Sequence, residues 1–347
     1  MPPVEAVVVK LGGDAVASPE RIAAEAHRLA RLAQVSPVVA VTSARRGVTD
    51  HLLGLVQGVR AQVSNGVPEP AAGDAEADRA VATGEVVTAA LLALALNGLG
   101  VESVSLDARE AGVRATGKFG RARIGTISSA RLTRLLGRGI VPVVTGFQGW
   151  QRGRVATLGR GGTDTSAVAL AVAIGAGRAL FVKDADGLRT ADPKLVLDSR
   201  RLGAVPHGFL SALTAAGARI VHPEAARLAE LRGLTLEFHP LGEEAPATIV
   251  HRGAPAQDIR AVATLVLDDS VAQITAVAGI AEEAARETER LREAILAQGI
   301  EIREIRPAAN GPKFLVAATQ AVAATRALHE AFVHPVANRA GHSRRAS

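Results

Sequence analysis

The stretch Glu5-Ala6-Val7-Val8-Val9-Lys10-Leu11-Gly12-Gly13, with Ser18-Pro19-Glu20 close behind it, decides the fold. Its short β-branched run reads as a buried strand, and the glycine pair ends that strand in a turn. Ser18 fits a helix N-cap, with Pro19 at the first helical position and Glu20 in the first turn. The helix is expected to run to about residue 34. Strand, tight turn and helix make one βα unit.

The same alternation continues outward from it. Strands are expected at residues 38–41, 101–106, 140–145, 178–182 and 234–238. Helices are expected at 48–63, 78–97, 128–137, 163–174, 208–216 and 223–232, with a loop at 64–78 and a hairpin or extended loop at 107–126. This pattern predicts an α/β domain with a mainly parallel sheet covered on both faces. Ligands of such sheets bind at the carboxyl ends of the strands. Lys10, Ser43, Gly146 and Lys183 all lie just past expected strand ends. A composition change near residues 252–255 reads as a linker. Beyond it, a strand (271–277), a helix (282–298), two strands (300–305 and 313–318) and a helix (321–332) suggest a small ferredoxin-like α+β domain.

The composition narrows the function classes. Of 347 residues, 48% are hydrophobic and 21% charged, which suits a globular chain. Aromatics are only 2%, so there is little material for stacking on bases. The net charge of +6 is spread along the chain without a dense basic block. An anionic substrate such as ATP accounts for it, and no nucleic-acid partner is expected. With no cysteine, disulfides, thiolate metal sites and cysteine nucleophiles are excluded. No signal peptide is evident, and the longest apolar run, 86–96, is too short to span a bilayer. A cytoplasmic protein without a membrane partner is the expectation.

Two segments carry the chemistry. Phosphoryl transfer needs backbone amides and cations around the migrating group, and a held acceptor. Lys10 with Gly12 and Gly13 offers an ammonium and a backbone that approaches phosphate without Cβ atoms. Thr157-Leu158-Gly159-Arg160-Gly161-Gly162-Thr163-Asp164 opens directly onto an alanine-rich helix, whose N-terminus attracts anions. Thr163 or Asp164 also fits a plain N-cap, whereas Arg160 suits a carboxylate held bidentately. Only five lysines occur, against 35 arginines, and Lys10, Lys183 and Lys194 fall in the segments that matter here.

With Val41-Thr42-Ser43-Ala44, Thr83-Gly84-Glu85, Gly146-Phe147-Gln148-Gly149, Lys183 through Lys194 and Gly217 through Pro223, these segments make seven motifs in order. The chain from Val8 to about Leu241 resembles the aspartate kinases of the amino-acid kinase family. That resemblance implies a carbamate-kinase-like three-layer αβα sandwich at 1–250 and a single ACT-like α+β regulatory or dimerisation domain at 257–335, while the basic end of low hydrophobicity at 336–347 reads as a disordered tail. It also implies ATP-dependent phosphorylation of the β-carboxylate of L-aspartate, the first step towards lysine, threonine and methionine. Lys10 and Asp164 would be catalytic. Ser43, Thr49, Glu85, Arg160, Gly161, Gly162 and Thr163 would bind aspartate, Glu85 reading its amino group. Lys10, Leu11, Gly12, Gly13, Lys183, Asp184, Arg189, Lys194, Arg219 and Ile220 would bind ATP. Mg²⁺ would arrive with ATP rather than on protein ligands, and a homodimer or higher homo-oligomer would form.

The pattern breaks in places. Asp14-Ala15 stands where the family has Thr-Ser, Lys183 where it has Thr, Arg189 where it has Tyr and Arg219 where it has Lys. Asp14 and Lys183 are expected to compensate each other as an ion pair. The usual Pro-Gly of the ACT ligand turn is missing, so weak or absent feedback by lysine or threonine is expected. Two alternatives stand beside the aspartate reading: a kinase of another amino acid or small carboxylate, and a non-catalytic nucleotide- or amino-acid-binding protein.

Overall fold

The computed structural model describes residues 5–63, 71–243, 245–253, 259–308 and 311–334. The expected tail lies outside them. The chain forms two compact units, and the division crosses the sequence more than once. The first holds the residues up to Gly187 together with Val221–Arg252; the second holds Leu188–Ile220 and the chain from Gly253 onward.

In the first unit, β1 (Val7–Leu11), α1 (Pro19–Ala33), β2 (Val38–Thr42) and α2 (Val48–Val63) follow the expected order. Ser18 caps α1 by accepting the Arg21 N–H, and Pro19 stands at its start. Next come α3 (Ala71–Val81), α4 (Thr83–Gly98), β3 (Ser103–Leu106), β4 (Val113–Thr116) and β5 (Arg123–Ile127). They are followed by α5 (Ala130–Leu136), β6 (Val141–Thr145), β7 (Gln148–Gln151), β8 (Arg154–Thr157), α6 (Gly162–Ile174) and β9 (Arg178–Lys183).

The main sheet is parallel at its centre, where β1 lies between β2 and β9. β6 and then β3 extend it beyond β2, also in parallel. On the other side Thr235–Pro240 runs parallel to β9, and Thr248–His251 pairs with it antiparallel. α1 and α4 bury Ile22, Leu29, Leu92 and Leu96 against one face of the sheet, and α6 covers the other. This is the expected αβα sandwich. A second sheet, in the order β5-β4-β7-β8, carries the expected hairpin.

Two helical expectations need correction. Residues 71–78, read as loop, belong to α3, because the Ala-rich stretch outweighs its single Gly73. The helix expected at 78–97 breaks at Ala82, the N-cap of α4, and Thr83 Oγ1 donates to the Ala80 carbonyl at the break. The helical stretch Ala72–Gly98 is long and apolar enough to cross a membrane, yet half of its apolar window is buried in the fold.

The second unit is built on a four-stranded antiparallel sheet: Arg260–Val266 pairs with Val271–Ala278, which pairs with Lys313–Ala317, which pairs with Ile302–Arg306. The first of these strands was not among the expected elements. It stands where the last strand of a ferredoxin-like sheet would return, so the domain is closed from its N-terminal side. The single helix expected at 282–298 is two, Ala281–Arg286 and Thr288–Leu296. Its core gathers Ile274, Leu291, Ile295, Phe314, Leu328 and Phe332. Leu188–Ile220 is tied in by Thr190, which accepts the Val262 N–H through its carbonyl (2.7 Å) and pairs with His329 Nε2 (2.8 Å).

Candidate active site

The strand pleat settles which way Lys10 faces. Val7, Val9 and Leu11 enter the core under α1 and α4, so Lys10, between them, points to the α6 side. There its Nζ lies 3.0 Å from Asp164 Oδ1. Asp164 is in the first turn of α6, where a negative charge suits the helix dipole. Lys183, at the end of β9, places its Nζ 3.3 Å from Asp164 Oδ2, and the His222 N–H donates to the same oxygen at 3.1 Å. Burial by itself would raise the Asp164 pKa. The ammoniums of Lys10 and Lys183, with these hydrogen bonds, override it and hold the carboxyl well below the usual range. Burial lowers the Lys183 pKa and Lys10 adds to this, while Asp164 opposes both.

Lys10, Lys183 and Asp164 belong to the wall of one cavity of about 930 Å³. Gly13, Ser43, Thr49, Glu85, Arg160, Gly161, Gly162 and Thr163 line it too, so most of the expected site residues converge. Glu85 lies in the first turn of α4 and is only 2% exposed. Its Oε1 accepts the Ala44 N–H at 2.9 Å, while Oε2 is buried without a partner among the described residues. Burial lifts its carboxyl to about 7, against the Ala44 hydrogen bond. A buried carboxylate oxygen left unmatched beside a cavity is suited to a ligand ammonium.

The other expected residues are placed differently. The Leu11 side chain is in the core and its carbonyl accepts the Ser43 N–H at 3.1 Å. The Gly12 N–H donates to the Val182 carbonyl at 3.1 Å. Arg160 is almost fully exposed and lies 3.8 Å from Asp50, a solvated pair that contributes little. Asp184 is exposed. Arg189, Lys194, Arg219 and Ile220 belong to the second unit. There the Arg189 guanidinium donates to Ser199 Oγ at 3.1 Å, and Lys194 and Arg219 are exposed.

The expected Asp14–Lys183 pair does not form. Asp14 Oδ1 takes Arg46 Nη1 at 2.6 Å, and its carbonyl accepts from Arg21. Lys183 goes to Asp164 instead. The charge introduced at Asp14 is thus answered locally, from the loop after β2. Gly13 allows that loop to come close: a Cβ there would lie 2.9 Å from the Ala44 carbonyl oxygen.

Three structural residues had no role assigned from the sequence: Asp78 lies outside every motif, and Phe147 and His222 lie inside motifs without a stated part. Buried Asp78 accepts the Gly120 N–H (2.8 Å), the Thr157 N–H (2.7 Å) and the Thr157 hydroxyl (2.7 Å), anchoring the start of the glycine-rich segment. Phe147 holds a left-handed φ of 66°, costly for a residue with a side chain. Its N–H donates to Ser166 Oγ, and its carbonyl accepts the Leu158 N–H. His222 packs on Gly161, which has φ 75° and where a Cβ would stand 2.3 Å from the His222 ring. Gly161→Ala is therefore expected to cost about 1–2 kcal/mol from the backbone alone, and more as His222 is displaced. A thermal melt measures the loss, and unchanged melting with unchanged turnover would refute this packing argument.

The family profile described as "Amino acid kinase family" matches residues 5–237. An aspartokinase of Bacillus sp. (strain MGA3) is 35% identical over 271 residues, which are 78% of this chain and 64% of that protein. An aspartokinase of Thermus thermophilus is 35% identical over 270 residues, 77% of this chain and 64% of its own. The chain thus spans about two thirds of the length of the curated relatives it matches. Among solved structures, E. coli aspartokinase III in complex with aspartate and ADP superposes with a TM-score of 0.80 at 19% identity, covering 94% of this chain and 99% of that one. Clostridium acetobutylicum aspartate kinase does so with a TM-score of 0.68 at 15% identity, covering 94% and 100%. The sheet, the converging strand ends and the matched sequence agree: the chain belongs to the amino acid kinase family.

Proposed function

We propose that this chain transfers the γ-phosphoryl group of ATP to the β-carboxylate of L-aspartate, forming 4-phospho-L-aspartate and ADP. The observation that carries the reading is the buried Lys10–Asp164–Lys183 group in a cavity that also holds the unmatched oxygen of Glu85. One pole of the cavity is cationic and suits phosphate, while the other offers a carboxylate to an amino group. The aspartokinase names of the relatives, and the aspartate and ADP of the E. coli structure, point the same way.

A β-carboxylate is ionised at neutral pH, so it attacks without a general base. The protein's task reduces to alignment and charge neutralisation. Lys10 faces the phosphates, Asp164 orients Lys10, and Glu85 holds the substrate ammonium. Ser43, Thr49 and the glycine-rich turn of Arg160 to Thr163 shape the acceptor side, with Arg160 turning in from solvent to the α-carboxylate. Among the described residues no three His, Asp or Glu side chains converge as a metal cage. Mg²⁺ fits this site as a companion of the nucleotide phosphates, where it would neutralise their charge.

In this reading the product enters the synthesis of lysine, threonine and methionine. The four-stranded domain acts as a single ACT-like module that supports a cytoplasmic homo-oligomer without strong feedback. A hydroxamate assay with Mg-ATP and a panel of amino acids tests the activity. Aspartyl hydroxamate is the expected product. Hydroxamate from another acceptor alone would move the substrate class, and ATP binding without any product would sink the catalytic reading.

A further inference from the structure

The face of the main sheet opposite Lys10 buries a second charged cluster. Leu180 and Val182 of β9 enter the core under α1. The parallel register sets Glu237 beside Leu180 and His239 beside Val182, so both face α1 as well. Lys10, in register with Phe181, points to the other face. Glu237 and His239 are 7% and 4% exposed, and Glu25 and Arg28 reach them from α1 with 4% and 8% exposed. Ionisable groups buried in this way are costly unless their polar atoms are matched.

Much of the matching is internal. Glu237 Oε1 takes Arg178 Nη1 at 2.9 Å, and its Oε2 takes His239 Nε2 at 3.0 Å. Arg28 Nε lies 3.0 Å from Glu25 Oε2. Burial by itself would raise the Glu237 pKa, but the His239 hydrogen bond and the Arg178 charge outweigh it and hold the carboxyl below its ordinary value. Glu237 is therefore an anion, and His239 donates to it from Nε2. Two sets of polar atoms are left over. His239 Nδ1 is buried without a partner among the described residues. Arg28 pairs there with Glu25 alone, through Nε, which leaves its two terminal nitrogens. Arg28, Arg178 and His239 line one cavity of about 260 Å³, and it lies wholly within the first unit.

That set of atoms selects its ligand. Guanidinium forks take an oxyanion. With Nε2 donating to Glu237, Nδ1 presents a lone pair and requires a donor. Inorganic phosphate at neutral pH meets both demands, because it carries charged oxygens and still keeps a P–OH. Sulfate and carboxylates have no proton to offer, and a phosphate monoester has largely lost its own.

We propose that this cavity is a binding site for inorganic phosphate, its charged oxygens on Arg28 and Arg178 and its P–OH donating to His239 Nδ1. The bound ion joins α1 to β9 and Thr235–Pro240 across the sheet from the catalytic cavity. The site is independent of the phosphoryl-transfer reading and stands or falls separately from it.

The test titrates the full chain with sodium phosphate at constant ionic strength and follows the histidine side-chain 15N resonances. His239→Gln and His222→Gln assign the two signals that matter. Phosphate should move the His239 resonance saturably and raise the melting temperature. Sulfate and glycerol phosphate should bind about tenfold more weakly, the scale of one hydrogen bond to a charged group. Arg178→Met replaces a half-exposed side chain, and Arg28→Lys keeps a charge beside Glu25 while losing the fork. Each should weaken phosphate about tenfold or more, and melting in phosphate-free buffer checks that each folds. A His239 resonance that stays still overturns the proposal, as does unchanged phosphate affinity in both arginine variants. An equal response to sulfate would mean an adventitious ion only. Movement of His222 alone would put the phosphate in the catalytic cavity, and that also overturns the assignment.

Discussion

Replacing Asp164 with alanine is expected to destabilise the first unit by about 3–5 kcal/mol at neutral pH, the scale seen when one partner of a buried ion pair is removed. Asp164 is 7% exposed and keeps Lys10 and Lys183 together. Without it the two ammoniums face each other across a small polar gap, and the His222 N–H loses its acceptor. The sign follows from linkage. A carboxyl whose folded pKa lies below its ordinary value adds stability above that ordinary value, and the stability disappears as pH falls through the folded pKa. The penalty should therefore be fully present at pH 7. Chemical denaturation of the parent, Asp164→Ala and the double variant Asp164→Ala/Lys183→Met provides the check. The double variant should recover part of the loss, because repulsion is removed with the second lysine. An unchanged denaturation midpoint in Asp164→Ala would show that the pairing carries no stability. Turnover should fall at least about a hundredfold in both variants.

The second large effect concerns Glu85 and pH. Its folded pKa of about 7 lies above the ordinary 4.5 because burial disfavours the anion. A raised carboxyl contributes stability that is fully present below the unfolded pKa and lost as pH rises through the folded one. The ligand-free protein should thus lose on the order of 3 kcal/mol between pH 4.5 and pH 8 through this group. Function runs the other way. The anion is the form that receives a substrate ammonium, so kcat/KM for aspartate should fall as pH drops, with a midpoint near 7. Glu85→Gln retains an acceptor for the Ala44 N–H and cannot ionise. It should flatten the stability difference against pH and remove the acidic limb, along with most of the affinity for aspartate. A Gln variant with the parent's stability profile would mean that Glu85 does not titrate in this range.

Much of the site was legible in advance because its signals are local. Val7–Leu11 followed by two glycines is a buried strand with a turn wherever it occurs, and Ser18-Pro19 starts a helix by its own hydrogen bonding. The glycine-rich segment before α6 is similarly self-explanatory, since only glycine takes the left-handed φ of 75° at Gly161 without strain. The strand Arg260–Val266 was harder to see. Its identity as a strand depends on a partner, Val271–Ala278, that also had to be placed.

The sequence by itself determined the α/β alternation, the strand ends that converge on one edge, and the helix start that carries Asp164. Tertiary structure alone decided the partners: Asp14 with Arg46, and Asp164 with both Lys10 and Lys183. It also decided that Leu188–Ile220 groups in one compact unit with the chain from Gly253 onward. The physical reason is that an ion pair is selected by which side of a pleat a residue faces and which loop arrives there. Neither is encoded in the residues adjacent to Asp14 or Lys183, where a complementary charge had suggested a pair that the fold keeps apart.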